Sequence, residues 1–180
     1  MAKKPLPTNA LQELKAAIKA KEPGRLYFFH GEETFLLHHY LEQLKKLLLD
    51  ELTESFNYHR LNNETFDLQS FADAVENLPM MAESTLVWVD DVDIFKLPES
   101  ERDHMTAILA DIPDYCTVVF TYITVEYKPD KRMKKLWDAV NKSGLAVEFA
   151  RQSQRELTAW IRRHFRSLGK NIDDRPCEYL

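Results

Sequence analysis

An α/β fold with a parallel sheet of about five strands, flanked by helices on both faces, is what the sequence predicts. Two observations carry that reading: short continuous apolar runs alternate with longer segments whose apolar residues recur at helical spacing, and the joints between them are short. A third is size. The 180 residues exceed a typical single domain, so a full core can form with chain left over for part of a second one.

Taken in order, Thr8 is placed to cap a helix carrying Leu11, Leu14 and Ile18, which Pro23-Gly24 stops. Leu26 to Phe29 reads as the first strand and ends in His30-Gly31. A long helix from about Glu33 to Glu51 follows, with Leu37, Leu41, Leu44 and Leu48 on one stripe. Phe56 to Leu61 is the second strand, Asn62-Asn63 a turn, and Asp67 opens a helix with Leu68, Phe71 and Val75. Thr85 to Val89 is the densest apolar strand and runs into Asp90-Asp91. Pro98 then starts a helix to Leu109, with acidic residues in its first turn. Thr117 to Ile123 makes a fourth strand, Asp130 to Asn141 a basic helix, and Leu145 to Phe149 a fifth strand. The first domain therefore spans 1–150. Beyond it, Ser153 caps a helix carrying Leu157, Trp160, Ile161, Phe165 and Leu168, and Gly169 ends it. Asp173 to Leu180 reads as the start of another helix, so 151–180 is expected to be the opening of a helical domain cut short.

Composition narrows the class. Hydrophobic residues make up 44% and charged residues 29%, with four glycines, the balance of an ordinary globular protein. The formal net charge of −5 argues against a surface that grips nucleic acid everywhere, although a local basic patch is compatible with it. Cys116 and Cys177 are too few and too far apart for a secretory disulfide framework, and Cys116 sits beside an apolar run as a buried thiol would. Met1 to Pro7 has no apolar core and is no signal peptide. No run approaches the roughly 18 apolar residues of a membrane span. The cytoplasm is the expected address.

In such a sheet, ligands bind at the carboxyl ends of the strands. A phosphate loop there needs glycines and a lysine followed by Ser or Thr. The residues present are His30-Gly31-Glu32-Glu33-Thr34-Phe35, with one glycine, no lysine and two carboxylates that repel phosphate. Asp90-Asp91 resemble a magnesium-holding strand end, but they stand beside the plainer reading in which Asp90, Asp91 and Asp93 are solvated turn residues. An acidic pocket of the phosphorelay type, pairing Glu32-Glu33 with these aspartates, lacks a lysine in Tyr122-Ile123-Thr124-Val125-Glu126. The six histidines show no zinc spacing and no nucleophile elbow occurs. No cofactor, metal or catalytic residue is assigned.

Two segments remain. Lys128, Lys131, Arg132, Lys134 and Lys135 form a basic run that is either a contact for DNA or an acidic partner, or simply the exposed face of a helix buried through Met133, Leu136, Trp137 and Val140. Leu78-Pro79-Met80-Met81 places apolar residues in a connecting loop, where polar ones are usual. Pro79 stiffens the loop, and paired methionines suit an irregular apolar pocket on a partner. The alternative is that both tuck under the sheet edge.

Several of these segments, in this order, resemble the N-terminal part of the delta subunits of bacterial DNA polymerase III, the clamp-loader wrench. They are Leu26 to Leu36 (Leu-Tyr-Phe-Phe-His-Gly-Glu-Glu-Thr-Phe-Leu), Asn77 to Met81 ahead of Leu86 to Val89, Asp130 to Leu136, Val147 to Phe149, and Glu156 to Ile161. The resemblance covers nearly the whole chain. It implies an AAA+-like, P-loop-like first domain that has lost ATP binding, followed by a lid. It also implies that Leu78, Pro79, Met80 and Met81 bind the sliding clamp (the beta subunit) and help open it for loading on primed DNA. Family members often carry an aromatic residue where Met81 stands. Other loader subunits would be partners of the full-length protein, DNA would be met through the complex, and turnover of ATP would belong to those partners. The competing expectation is an active P-loop-type enzyme, an ATPase or nucleotide kinase.

Overall fold

The computed structural model describes residues 10–151 and 153–173. Five strands, β1 (Leu26–His30), β2 (Tyr58–Asn62), β3 (Thr85–Asp90), β4 (Cys116–Tyr122) and β5 (Leu145–Glu148), form one sheet. Its order is β2-β3-β4-β1-β5, and every pairing is parallel. The helices are α1 (Ala10–Ala20), α2 (Thr34–Leu48), α3 (Glu54–Asn57), α4 (Leu68–Glu76), α5 (Glu99–Ala110), α6 (Lys134–Ser143) and α7 (Gln154–Ser167), with a 3₁₀ turn at Ile94–Lys96. After β1 the chain crosses to the far edge, returns through β3 and β4, and passes β1 to add β5 on its other side. The strand order reverses beside β1, which is where an open α/β sheet forms its ligand crevice.

The continuous apolar runs are explained by burial on both faces. Phe28 and Phe29, adjacent in β1, are both fully buried because successive side chains point to opposite sides of a sheet. On one side Phe28 stacks on Phe120 at 5.1 Å, and Phe71 of α4 reaches Phe120 at 5.8 Å. Residues of α5 and α6, among them Met105, Leu109, Leu136 and Val140, complete that layer. On the other side Phe29 meets Phe149 edge-on at 5.2 Å, and Tyr40 of α2 stacks on Phe149 at 5.9 Å. Cys116 is a buried free thiol, and burial pushes it up to about 11 against a smaller lowering by Thr85.

Several element boundaries differ from expectation. The second strand begins at Tyr58, because Phe56 and Asn57 belong to the short helix α3. The long helix α2 stops at Leu48, where the Asp50 carboxylate accepts from the Leu52 N–H at 2.8 Å and turns the chain. The basic helix starts at Lys134. Asp130 accepts from the Arg132 N–H at 2.9 Å and its carbonyl from Met133 at 3.0 Å, so Lys128, Lys131 and Arg132 lie on loop and turn. The fifth strand ends at Glu148. The expected Thr8 cap and nearly all of the expected last helix lie outside the described residues; Asp173, the one part inside them, is not helical.

Two compact units result, Met1–Phe149 and Ala150–Leu180. In the second, Ser153 and Glu156 form a reciprocal capping box at the start of α7. Gly169, at φ +70°, ends the helix in a Schellman motif, with Gly169 N–H donating to Arg166 and Lys170 N–H to Phe165. Among the described residues no helix is long and apolar enough to cross a membrane.

Phe28→Ala removes a ring packed between strands and helices, and is expected to cost about 3 to 5 kcal/mol. Urea unfolding followed by circular dichroism measures it; an unchanged midpoint would contradict the central place given to β1.

Candidate functional site

The loop after β1 is stitched to the end of β5. His30 C=O accepts from Phe149 N–H at 2.7 Å, and Phe149 C=O accepts from Glu33 N–H at 3.0 Å. Gly31 makes this possible. Its φ is +123°, and a Cβ there would fall 2.4 Å from the Phe149 carbonyl oxygen, so any other residue is excluded on both counts. Thr34 N–H is directed at Glu32 C=O. N–H groups of Glu33 and Thr34, which a phosphate loop would present to its anion, are therefore turned to protein carbonyls. The crevice above carries His30, Glu32, Glu126 and Glu148. His30 stacks on Tyr127 at 4.7 Å, and its burial lowers the imidazole's proton affinity despite the opposing pull of Glu148. The site thus offers carboxylates and a poorly protonated histidine where a nucleotide needs cations.

The aspartates after β3 are not idle turn residues. Asp90 accepts from Arg60 at 2.7 Å and from Thr121 Oγ1 at 2.8 Å. The same threonine oxygen accepts from Trp88 Nε1 at 2.8 Å, while the Arg60 guanidinium lies 3.9 Å from the Trp88 ring. Asp91, at φ +55°, accepts from the N–H groups of Ile123 at 2.6 Å, Thr124 at 3.0 Å and Val125 at 3.2 Å. Partial burial raises its pKa, but these bonds together hold it below the usual carboxylate value. Asp93 caps the 3₁₀ turn through Phe95 N–H and pairs with Lys96 at 3.1 Å. Asp90 and Asp91 thus fasten β2, β3 and β4 together at their carboxyl ends, while Asp93 is taken up by the turn that follows β3. Among the described residues no group of three potential ligands is arranged to hold a metal ion.

The basic run is largely paired within the chain. Lys128 meets Glu126 at 2.5 Å, Arg132 meets Asp130 at 2.7 Å, Lys135 meets Asp103 at 3.0 Å, and Lys131 lies over Trp137 at 5.6 Å. Asp130 is drawn down to about 2, first by its hydrogen bonds from Arg132. Exposed pairs of this kind are worth little and exchange readily, so they neither supply nor forbid an external contact.

The apolar loop does not tuck under the sheet. Leu78 is 74%, Met80 55% and Met81 92% exposed, with Pro79 half-buried between them. Asn57, fully buried, holds the loop in place. Its side-chain amide donates to Met80 C=O at 2.9 Å and its side-chain carbonyl accepts from Met80 N–H at 2.7 Å, the two-bond pattern of a strand pair. The amide donates again to Thr53 C=O at 3.0 Å, tying α3 to the loop. Leu52 and Phe56, on the segment so tied, are also exposed. Among the described residues, five of the seven large exposed apolar ones therefore lie in two segments joined by one asparagine. Met81 sits at φ +55°, a left-handed conformation uncommon outside Gly, Asn and Asp, which turns its side chain outward. Sequence reading missed Asn57, because placing Phe56 to Leu61 in a strand gave that residue no partner.

A family model, DNA polymerase III, delta subunit, matches residues 27–150. The chain belongs to this family. DNA polymerase III subunit delta of Bacillus subtilis is 26% identical over 170 residues, covering 91% of this chain and 48% of that protein. The B. subtilis DNA clamp loader delta protein superposes with a TM-score of 0.69 at 20% identity, over 94% of this chain and 51% of that one. A DNA polymerase III gamma-subunit-related protein of Thermotoga maritima matches at TM-score 0.53 and 14% identity, over 88% and 54%. AMPPCP-bound DnaA of Aquifex aeolicus matches at 0.55 and 12%, over 96% and 55%. These likenesses place the fold among AAA+-like modules. The delta-family chain spans about half the length of the relatives it matches.

Two outcomes follow from this geometry. Asn57→Ala is expected to destabilise the chain by about 1 to 3 kcal/mol, since the Met80 N–H and C=O lose their buried partner; a denaturant titration checks it. Asp91 has a folded pKa below its unfolded value, so its contribution is complete above about pH 4 and disappears as pH falls through the folded value. Asp91→Ala should lower stability at neutral pH and flatten its decline in that acid window, read by thermal unfolding across pH.

Proposed function

We propose that this chain is the clamp-engaging module of a delta subunit: Leu78, Pro79, Met80 and Met81 bind the sliding clamp and help hold its ring open for loading on primed DNA. The observation that carries the reading is the Met80–Met81 loop, apolar, outward-facing and fixed from beneath by Asn57. A loop already held in one conformation loses less entropy on docking. Leu52 and Phe56 extend the same apolar area. The module works without binding ATP, as the backbone around Gly31 and the carboxylates beside it support, and does no catalysis of its own. Hydrolysis falls to partner subunits of the full-length assembly, which works in the cytoplasm and through which DNA is met. The second unit is the opening of the lid.

Mechanically, the loop favours whichever clamp conformation presents the better pocket, and differential affinity shifts the ring toward it. Two methionines seated in an apolar pocket are worth about 2 to 4 kcal/mol.

Surface plasmon resonance against the cognate clamp tests this with a Met80→Ala, Met81→Ala double variant. Both side chains are exposed, so the fold and unfolding midpoint should be retained while affinity falls by about 30- to 1,000-fold. Failure of the folded native chain to bind the clamp would end this reading. Addition of Mg-ATP should leave the melting temperature unchanged; a clear upward shift would favour an active nucleotide-binding enzyme instead.

A further inference from the structure

The described residues include Met80, Met81, Met105 and Met133, and the fold treats these methionines differently. Met105 is fully buried and Met133 is half-buried against the core. Met80 and Met81 are 55% and 92% exposed. The backbone of Met81, at φ +55°, turns its side chain outward, so the thioether stands in water. What grips this loop is its main chain: the Asn57 side chain accepts from the Met80 N–H and donates to the Met80 C=O. Neither thioether takes part in that grip. A chemical change at sulfur therefore leaves the loop fastened and alters only the surface it presents. Cys116 offers no competing nucleophile, because it is buried and held in its thiol form.

We propose that Met81, with Met80 beside it, is a site of reversible S-oxidation by peroxide that weakens docking of the loop on its partner; the effect on docking rests on the clamp reading above. In the step, a sulfur lone pair attacks one oxygen of hydrogen peroxide. An S–O bond forms and the O–O bond breaks, and the transferred oxygen gives its proton to the departing hydroxide, which leaves as water. Sulfur is oxidised by two electrons and peroxide is reduced by two, so thioether and peroxide become sulfoxide and water. The product places a polar, hydrogen-bond-accepting group on a side chain that was apolar. Seated in an apolar pocket, that group would have to shed its water with no partner in exchange, which the thioether does not. In the free chain it stays hydrated. The same exposure leaves it open to methionine sulfoxide reductases, which makes the change reversible.

Peptide mass mapping of the 180-residue chain during mild hydrogen peroxide treatment is the first half of the test. Oxygen should be added first at Met81, then at Met80, more slowly at Met133 and not at Met105, with the unfolding midpoint unchanged. Surface plasmon resonance against the cognate clamp is the second half. The oxidised chain should bind about tenfold or more weakly, and treatment with methionine sulfoxide reductases of both stereospecificities should restore the affinity. A Met80→Leu, Met81→Leu variant has no sulfur in the loop, and its affinity, whatever the starting value, should be the same before and after peroxide. Oxidation of Met133 or Met105 as fast as Met81, clamp affinity that survives oxidation of both loop methionines, or affinity lost by the Leu variant on treatment would each overturn the proposal and leave the clamp reading standing. Failure of the untreated chain to bind would end the clamp reading itself, and the proposal with it.

Discussion

The central strand β1 is the constraint on which the rest of the structure depends. It lies between β4 and β5 with Phe28 and Phe29 buried on opposite faces, so both helical layers are assembled against it. Its carboxyl end is where the strand order reverses, and there the backbone of Phe149 accepts and donates the bonds that close the loop through Gly31. A phosphate-binding loop keeps such N–H groups free for its anion. Here the loop is drawn onto the next strand, and the glycine serves close backbone approach instead. The crevice beside it is lined by carboxylates and a half-buried histidine.

The polar groups at the strand ends have been redirected in the same way. Asp90, Asp91 and Asp93 look like metal ligands in sequence, yet each is engaged by a neighbouring element. Arg60, Thr121 and Trp88 form one chain across β2, β3 and β4 with Asp90, and Asp91 gathers three successive N–H groups after β4. Those bonds stiffen the sheet at the end where a catalytic relative would need open ligand positions. The apolar loop ahead of β3 is likewise fixed by its backbone, with Leu78, Met80 and Met81 left exposed.

The loop itself illustrates how one buried polar residue sets a surface. Asn57 costs desolvation that three hydrogen bonds offset, and in return it fixes Met80 with its flanking side chains turned to water. Held by its backbone, the loop keeps those side chains exposed.

The sequence by itself determined the fold class, the order of elements and the acidic, lysine-free make-up of the first loop. Those features rest on local facts: apolar runs of strand length, helical spacing, caps such as Asp67 and Ser153, and the absence of a lysine after Gly31. It also marked Leu78 to Met81 as unusual without deciding between core and surface. Only the tertiary structure decided that, because exposure depends on Asn57, 23 residues from Met80 in the chain. The same holds for Asp90 and Asp91, whose partners lie 30 or more residues away in other strands, and for the basic run, whose helical start was misplaced by the Asp130 turn. Periodicity reports which side of an element is apolar. Which distant group claims a polar side chain is set only when the sheet brings them together.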